Sequence, residues 1–395
     1  MAKTVVVLGA GLVGVPLTHY LLRKAAISRV VLVSPNEEFY WNLSSPRVIA
    51  APALIPENKY LFTIAKEFAR YPKDKFEFVV GKAETLDPAK NSVAVKLNDG
   101  GSRTIDYHTV FVTTGSRYRE SMPWKNLETS QQTRAAIAQL QREVQAAKSI
   151  VVAGAGVTGV EFAGELAAQF CKNGGGVEKE VTLVSSDPLP LEPRLLESVR
   201  EIAKQELEQL GVRFIGGARI TKTSTSTSGD EQQQQPKTLE LTKADGSTQT
   251  ITADVIIPTY GLVPNAEFAP ASMRDGSGRL RTDKRLRAAG HENVFVLGDV
   301  GNLQRPQASH AEFQLRHLMA QLDPYLESGR GPEEYQFDAD KVTLGLTIGP
   351  DRGTGQIGAD VLPSDAAAKI KRRHIGASHT AEYAAGVEGM RGAWP

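Results

Sequence analysis

Two stretches of this chain share one pattern, and together they decide its fold. Residues 151–162 read VVAGAGVTGVEF, and residues 5–17 read VVVLGAGLVGVPL. Each is a run rich in β-branched residues that leads into G-x-G-x-x-G and then into an apolar segment with helical periodicity. A strand, a tight turn and a helix in this order form a dinucleotide-binding unit. Two such units in one chain predict two nucleotide sites.

The three glycines of each pattern have separate physical roles. The first permits the tight turn, the second lets the backbone approach a pyrophosphate, and the third lets the helix pack closely on the strand. The helix N-terminus then offers free N–H groups and the positive end of its dipole to the phosphates. The glycines concerned are Gly9, Gly11 and Gly14 in the first fingerprint and Gly154, Gly156 and Gly159 in the second. We predict βαβ units over residues 4–33 and 149–185.

The residue that usually binds the ribose hydroxyls is missing from both units. An acidic residue is expected about 20 positions after the third glycine, but Ser34 stands there in the first unit and Ser185 or Ser186 in the second. The sequence therefore offers no basis for choosing between NADH and NADPH. Glu37 and Glu38 are close enough to Ser34 to substitute for the missing acid, or they are solvated loop charges.

The order of predicted elements indicates an α/β protein in which one Rossmann-like domain is interrupted by another. The first domain is predicted to take residues 1–120 and 255–325, and the second residues 121–254. Residues 326–395 would form a small C-terminal α+β domain. Residues 221–237 (TKTSTSTSGDEQQQQPK) are polar and of low complexity, so we expect a disordered hairpin loop there. The glycine run at residues 172–176 predicts a loop insertion, and a helix is predicted near residues 307–325.

Composition narrows the class of protein. The formal charge is +1, from 46 basic and 45 acidic residues, so no nucleic-acid partner is expected. Cys171 is the only cysteine, which excludes a disulfide framework and a redox dithiol within the chain. No metal site is predicted, and nothing in the sequence sets the oligomeric state.

The sequence also bears on localisation. No apolar run approaches the ~20 residues of a membrane span, and the N-terminus shows neither a signal-peptide nor a myristoylation pattern. We expect a cytoplasmic protein, with peripheral membrane contact left open. The basic stretch AAAKIKRRHIG at residues 366–376 is either such a contact or a solvated helix end.

Two further strand ends point to a family. HTVFVTTGSR places Thr114 and Gly115 after one strand, and HENVFVLGDVGN places Asp299 after another, ahead of the helix near residues 307–325. The two glycine fingerprints and the TTG and FVLGD strand ends, in their order along residues 3–325, resemble a known group of proteins. This group is the two-dinucleotide-binding-domain flavoproteins, the pyridine nucleotide–disulfide oxidoreductase-like superfamily (glutathione-reductase-like folds). The resemblance implies that the first fingerprint binds FAD and the second NAD(P)H. The absence of a cysteine pair departs from the disulfide reductases of that superfamily.

Three longer segments narrow the resemblance. SPNEEFYWNLSSPR (residues 34–47), the segment at residues 185–215 and GPDRGTGQIGAD (residues 349–360) resemble the apoptosis-inducing-factor-like oxidoreductases of the ferroptosis-suppressor type, which are NAD(P)H:quinone oxidoreductases; the first is also similar to type II NADH dehydrogenases. By this resemblance FAD would be bound by Gly9, Ala10, Gly11, Gly14, Ser34, Asn42, Arg47, Ala83, Thr114, Gly115 and Asp299. NAD(P)H would be bound by Gly154, Gly156, Val157, Thr158, Glu161, Ser185 and Gly261.

The resemblance also suggests a role for Glu161. Relatives place a glutamate at this point of the second helix, facing the nicotinamide and paired with a basic residue of the flavin domain, for which Arg47 is our candidate. Such a carboxylate would orient the carboxamide and be held ionised by the guanidinium. The alternative is an exposed glutamate that the helix dipole favours at an N-terminal turn.

Gln307, His310 and Trp41 complete the predicted site. Ferroptosis-suppressor-type proteins have a lysine where Gln307 stands; because glutamine carries no charge, the flavin potential and the reactivity towards oxygen are expected to differ. His310, about one helical turn on, is either a proton donor to a quinone or a packing histidine. Trp41 either stacks near the flavin or belongs to the core.

The sequence thus predicts an FAD-dependent oxidoreductase that passes hydride from NAD(P)H to FAD and then electrons to a small-molecule acceptor, with a quinone favoured. A biosynthetic or detoxifying flavoenzyme with a dedicated small-molecule substrate is one alternative. A redox-sensing flavoprotein of low turnover is the other. The sequence alone does not separate them.

Overall fold

The computed structural model describes residues 3–171, 178–225, 236–371 and 376–395. The strands, in chain order, are β1 (Thr4–Leu8), β2 (Arg29–Ser34), β3 (Glu38–Tyr40), β4 (Leu61–Thr63), β5 (Phe76–Asp87), β6 (Ser92–Leu97), β7 (Ser102–Asp106), β8 (Thr109–Val112), β9 (Ser116–Tyr118), β10 (Ser149–Ala153), β11 (Glu180–Val184), β12 (Arg213–Ile215), β13 (Ala218–Thr225), β14 (Lys237–Lys243), β15 (Thr248–Ala253), β16 (Val255–Pro258), β17 (Leu262–Pro264), β18 (Val294–Val296), β19 (Thr343–Thr347), β20 (Gly353–Ile357), β21 (Asp360–Leu362), β22 (Glu388–Gly389) and β23 (Gly392–Ala393). The helices are α1 (Gly14–Leu22), α2 (Ser45–Ala50), α3 (Ile64–Glu67), α4 (Ser130–Ala146), α5 (Val157–Phe170), α6 (Glu197–Leu210), α7 (Ala308–Ser328), α8 (Ser364–Lys371) and α9 (Thr380–Ala384).

Both predicted βαβ units are present, and each lies in a separate parallel sheet. In the part of the chain that the structure describes, the first sheet has the strand order β18-β8-β1-β2-β5-β6-β7, and its first five strands are parallel. The second has the order β12-β11-β10-β16, again parallel. The central strands β1, β2 and β8 of the first sheet and β10 and β11 of the second are mostly buried apolar runs, as strands covered on both faces require. The α/β class and the two Rossmann-like units are confirmed.

The glycine fingerprints pack as their spacing predicts. Gly9 has φ +102°, and a Cβ on it would lie 2.6 Å from the carbonyl oxygen of Thr113. A Cβ on Gly14 would lie only 1.8 Å from the carbonyl oxygen of Gly9. Gly154 and Gly159 repeat this arrangement, with a Cβ on Gly159 1.9 Å from the carbonyl oxygen of Gly154. The first and third glycines of each fingerprint therefore tolerate no side chain.

Some elements differ from the prediction. Helices α2, α4 and α6 were not predicted; α4 begins after Thr129, whose side chain accepts a hydrogen bond from the backbone N–H of Gln132, a regular N-cap. We predict a disordered hairpin loop over residues 221–237, but the two ends of this segment belong to strands. Thr225 at the end of β13 pairs with Lys237 at the start of β14. The rest of that loop, the glycine run at residues 172–176 and residues 372–375 of the basic stretch lie outside the described residues.

The C-terminal residues contribute to the cores of both halves. Leu346 and Ile348 pack in the core that surrounds α5 and α6, whereas Tyr383 and Trp394 pack in the core that surrounds α1. The apolar side chains of residues 326–395 are thus divided between these two cores, and the small C-terminal domain over these residues stays a prediction. The boundaries at residues 120, 255 and 325 remain a prediction.

The described helices also bear on membrane association. None of them combines the length and the apolar character needed to cross a lipid bilayer. Lys369, in the basic stretch, forms an exposed ion pair with Asp365 at 2.8 Å, which fits a solvated helix face.

His19 gives the fold a specific dependence on pH. It is fully buried in α1, stacks on Phe68 at 3.9 Å and contacts the carbonyl oxygen of Ala384 through Nε2 at 2.9 Å. Burial lowers the pKa of His19 from 6.5 to about 3, and the nearby Arg70 contributes. The folded protein thus holds His19 neutral, while the unfolded chain binds a proton below about pH 6.5. Stability is therefore retained above that pH and lost as the pH falls from 6.5 towards 3.

We expect this group to lower the free energy of unfolding by about 2 kcal/mol between pH 7 and pH 5. Urea unfolding of the wild type and of His19→Gln at the two pH values measures it. Between pH 7 and pH 5, the free energy of unfolding of the variant should fall by about 2 kcal/mol less than that of the wild type. Equal losses in both proteins would show that other groups cause the pH dependence.

Candidate active site

Residues of both fingerprints line one cavity of about 2750 Å³. Gly9, Ala10 and Gly11 line it from the first fingerprint, and Val157 and Thr158 from the start of α5 in the second. The wall continues through the strand ends after β2 and β8, the N-terminal end of α7 and the C-terminal residues 376–392. The cavity therefore joins the two predicted nucleotide sites.

The carboxyl ends of the two sheets are built alike. Thr113, just after β8, donates from its hydroxyl to the carbonyl oxygen of Gly9 at 2.9 Å. Thr259, just after β16, donates in the same way to Gly154 at 2.7 Å. The sequence TYG at residues 259–261 thus mirrors TTG at residues 113–115. Comparing the two halves of the sequence would have shown this second strand end.

Asp299 forms the centre of a partly buried polar cluster, in which the side chain of Asp299 is 13% exposed and that of Lys125 25% exposed. It lies in a short 3₁₀ helix (Gly298–Val300), accepts a hydrogen bond from the Ser116 hydroxyl at 2.7 Å and pairs with Lys125 Nζ at 2.9 Å. Burial by itself would raise the pKa of Asp299, but Lys125 and Ser116 outweigh it and hold that pKa below its ordinary value. Asp299 in turn raises the pKa of Lys125 against the effect of burial. The cluster therefore presents a fixed carboxylate and a fixed ammonium group at the cavity wall.

Lys125 was not predicted as a site residue. It lies in the segment that connects the two sheets, beside Trp124, whose indole N–H donates to the carbonyl oxygen of Pro258 at 2.9 Å. The ring of Trp124 packs on Phe162 of α5 at 4.8 Å, and the side-chain amide of Asn42 donates to the Trp124 carbonyl at 3.1 Å. The connecting segment is thereby held to both halves, and Lys125 with it.

Arg47 joins the two halves through a buried ion pair. Its Nε donates to Glu165 Oε2 at 2.8 Å, and a terminal nitrogen donates to Glu165 Oε1 at 2.6 Å. The two side chains are 0% and 2% exposed. Burial and the nearby Glu161 raise the pKa of Glu165, and Arg47 opposes this rise. The carboxylate that the sequence prediction missed is Glu165, one turn beyond Glu161.

The start of α5 also meets a tyrosine from the first half. Tyr118, at the end of β9, is within hydrogen-bonding distance of the Thr158 hydroxyl at 3.0 Å, and both residues line the cavity together with Glu161. Glu161 itself is buried, with 5% of its surface exposed. The alternative of an exposed glutamate at the helix start is therefore wrong.

The N-terminal end of α7 also contributes to the cavity. Gln307 lines it and donates from its amide to the carbonyl oxygen of Thr343 at 3.0 Å. His310 is not among the lining residues, and its Nδ1 lies 3.1 Å from the carbonyl oxygen of Arg305. The role of His310 as a proton donor stays a prediction. Trp41 is buried against Tyr383 at 5.0 Å, as a core residue would be, and also lines the cavity; stacking near the flavin stays a prediction.

The other predicted residues divide between the cavity and its supports. Those that line the cavity are Gly9, Ala10, Gly11, Ser34, Asn42, Ala83, Thr114, Gly115, Val157, Thr158, Glu161, Asp299 and Gln307. Those outside its lining are Gly14, Arg47, Gly154, Gly156, Ser185, Gly261 and His310. Of these, Gly14 packs on the backbone of Gly9 and Gly154 on the side chains of Thr259 and Tyr260, whereas Arg47 is fully buried in its ion pair.

The fingerprints leave room for phosphate groups. Gly11 and Gly156 have no atom within 4 Å of the position that a Cβ would take. Gly156 is the N-cap of α5, and no side chain caps this helix start, so its free N–H groups remain available to an anion. The described residues thus fit two dinucleotides, with Asp299 positioned to accept hydrogen bonds from a polyol.

Comparisons with known proteins agree with this geometry. The family model for pyridine nucleotide-disulphide oxidoreductases matches residues 3–314. Oxidoreductase ptaL of Pestalotiopsis fici is 36% identical, over 91% of this chain and 93% of that protein. Ferroptosis suppressor protein 1 of Homo sapiens is 26% identical, over 90% and 89%. The sulfide:quinone oxidoreductase of Aquifex aeolicus has a similar fold, with a TM-score of 0.72, 15% identity and coverage of 98% and 92%.

The matched residues contain both fingerprints, the TTG strand end and the Asp299 cluster. The chain therefore belongs to the pyridine nucleotide-disulphide oxidoreductase family and is an FAD-dependent NAD(P)H oxidoreductase.

Proposed function

We propose that the electron acceptor of this oxidoreductase is a quinone. The net reaction converts NAD(P)H, a proton and a quinone into NAD(P)⁺ and a hydroquinone. Bound FAD supplies the hydride acceptor and the two-electron donor, while the protein supplies geometry and electrostatics. The observation that carries the proposal is the single cavity that joins both fingerprints to the N-terminal end of α7.

The donor side of this cavity is formed by α5. Val157 and Thr158 line it at the helix start, and the buried Glu161 lines it one turn further on. A nicotinamide that entered beside these residues would be brought towards the first fingerprint, because both sets of residues face the same space. This arrangement supports direct hydride transfer, which requires the reacting atoms to be held about 3–3.5 Å apart.

The acceptor side is formed by α7 and the C-terminal residues. Gln307 is the N-cap of α7, and no side chain caps this helix, so its first N–H groups and its positive dipole end remain available for negative charge on a reduced ring. Tyr383, Met390 and Arg391 also line the cavity, and Arg391 packs on α7, with its guanidinium 4.4 Å from the ring of Phe313. A flat ring with two carbonyl oxygens fits such a wall of N–H donors and apolar side chains. The structurally similar Aquifex aeolicus enzyme is named for a quinone, which also supports the proposal.

Anaerobic stopped-flow measurement tests the acceptor. The FAD-loaded protein is reduced with NADH, or separately with NADPH, and then mixed with a naphthoquinone, a short-tailed benzoquinone or oxygen. We expect a quinone to reoxidise the flavin at least about 100-fold faster than oxygen, a difference of about 3 kcal/mol in activation free energy. Reduction by NAD(P)H without faster reoxidation by any quinone would overturn the proposal and favour a dedicated substrate. Very slow turnover with a long-lived reduced complex would favour a redox sensor.

Gln307 offers a prediction on the flavin potential. Gln307→Lys would place a positive charge at the cavity wall, where it stabilises the anionic reduced ring. We expect the midpoint potential to rise by about 20–40 mV, which corresponds to about 1–2 kcal/mol for a two-electron couple. His310→Lys is the matched control, because His310 lies on the same helix but is not among the residues that line the cavity. Equal shifts in both variants, measured with reference dyes, would show that Gln307 does not face the flavin.

A further inference from the structure

Asn36, two residues after β2, has an unusual hydrogen-bonding state. It is 4% exposed and lines the cavity. Its Nδ2 donates to the carbonyl oxygen of Leu127 at 3.0 Å. Because a carbonyl oxygen only accepts, this bond fixes which end of the amide is which. The other end, Oδ1, is buried and has no hydrogen-bond partner within residues 3–171, 178–225, 236–371 and 376–395.

The buried Oδ1 of Asn36 requires a hydrogen-bond donor. Leaving a buried acceptor without a partner is unfavourable, and the native fold normally pairs such groups. Asn36 stands at the carboxyl end of the second strand of the first βαβ unit. In this fold the adenosine ribose of the bound dinucleotide lies at that strand end. A ribose hydroxyl is a donor of the right chemistry at the right place.

The acidic residues that the sequence offers for this task are engaged elsewhere. Glu38 accepts from Arg134 Nε at 2.7 Å and from a terminal nitrogen of the same guanidinium. Glu37 accepts from the side-chain amide of Gln131 at 3.2 Å. Neither glutamate lines the cavity. These contacts therefore favour neither Glu37 nor Glu38 as the replacement for the missing acid.

Ser34 is arranged to support Asn36. Its hydroxyl oxygen accepts the backbone N–H of Asn36 at 3.1 Å, which leaves the hydroxyl proton free to be donated. Ser34 also lines the cavity, as does Ala83 of the neighbouring β5. At this strand end, Asn36 therefore offers a hydrogen-bond acceptor and Ser34 offers a donor, as a pair of ribose hydroxyls requires.

We propose that Asn36 Oδ1 accepts a hydrogen bond from the adenosine ribose of FAD, in place of the carboxylate that usually stands at this strand end. The neutral amide places no negative charge beside the pyrophosphate. The contact contributes to the preference for FAD over FMN, since FMN lacks the adenosine. The inference rests on FAD as the cofactor and is independent of the quinone proposal.

Flavin binding to the deflavinated full-length protein tests this contact. The probes are FAD, FMN and an FAD analogue with 2′,3′-dideoxyadenosine, and the readout is the dissociation constant from quenching of flavin fluorescence. We expect Asn36→Leu to weaken FAD binding about tenfold, as loss of one hydrogen bond implies, and to leave FMN binding unchanged. The wild type should bind the dideoxy analogue at least about tenfold more weakly than it binds FAD. In Asn36→Leu, the difference in affinity between FAD and this analogue should be markedly smaller than in the wild type.

Two outcomes would overturn the proposal. If Asn36→Leu weakens FAD and FMN equally, the substitution acts through packing and not through the ribose. If the difference in affinity between FAD and the dideoxy analogue is as large in the variant as in the wild type, another group binds the ribose hydroxyls. Glu37→Gln is the matched control and should bind all three flavins as the wild type does. Unchanged FMN affinity shows that Asn36→Leu is folded. Absent quinone turnover would bear on the acceptor and not on this contact.

Discussion

Arg47→Met should lower the free energy of unfolding by about 3–5 kcal/mol, because it leaves the carboxylate of Glu165 buried without its counter-ion. The two side chains are 0% and 2% exposed and share two hydrogen bonds of 2.8 and 2.6 Å. Glu161 already raises the pKa of Glu165, so loss of the guanidinium adds like-charge repulsion to the cost of burial. Urea unfolding at pH 7 of the FAD-free protein measures the change.

Two control variants separate charge from packing. Arg47→Met combined with Glu165→Met should recover most of the lost stability, since apolar residues of similar volume replace a buried ion pair at little net cost. Lys204→Met removes a partly exposed pair with Glu208 at 3.8 Å, and should change stability by about 0.5 kcal/mol or less. If the double variant is as unstable as the single one, the ion pair is not the cause and the volume of Arg47 is.

Asp299→Asn should weaken FAD binding by about 100-fold, or about 3 kcal/mol. The substitution removes a charged acceptor at the cavity wall and leaves Lys125 partly buried without its counter-ion, with the Nζ–Oδ2 pair of 2.9 Å broken. The dissociation constant of FAD from the deflavinated protein measures the loss. FAD binding as tight as in the wild type would show that Asp299 does not contact the flavin.

Lys125→Met tests how Asp299 is held. Without the ammonium group, burial raises the pKa of Asp299, because Lys125 is the main group that opposes this effect. The carboxylate is then protonated more readily as the pH falls. We expect FAD binding to weaken moderately at pH 8 and further at pH 5, whereas the wild type should change less over the same range. An identical pH profile in both proteins would mean that Lys125 does not control the charge of Asp299.

The fingerprints could be predicted because their chemistry is local. Gly9 and Gly14 are required by a turn and a close contact within a few residues of each other, so the spacing alone carries the information. Helix α5 of the second unit carries a further signal in its sequence. Glu161 and Glu165 are four residues apart and therefore share a face of α5, which could have pointed to Glu165 as a second partner for Arg47.

Other site residues depend on long-range packing. Lys125 is a lone lysine in a connecting segment, and only the contacts of Trp124 with both halves bring it to Asp299. Gln307 and His310 are three residues apart at the start of α7, where Gln307 is the N-cap. Gln307 lines the cavity and His310 does not, a difference that helical spacing alone does not predict. Asn36 belongs to neither fingerprint, and the role we propose for it rests on the Oδ1 atom, which has no hydrogen-bond partner among the described residues.

The most direct test of the account is anaerobic reduction of the bound flavin by NADH and NADPH in the wild type and in Gly159→Ala. A Cβ at position 159 would lie 1.9 Å from the carbonyl oxygen of Gly154, so the substitution distorts the second fingerprint and leaves the first intact. We predict rapid bleaching of the flavin in the wild type by at least one donor. The variant should retain FAD and be reduced by dithionite but only slowly by either donor. Bleaching of the variant as fast as the wild type would contradict the assignment of the second fingerprint as the site that delivers hydride.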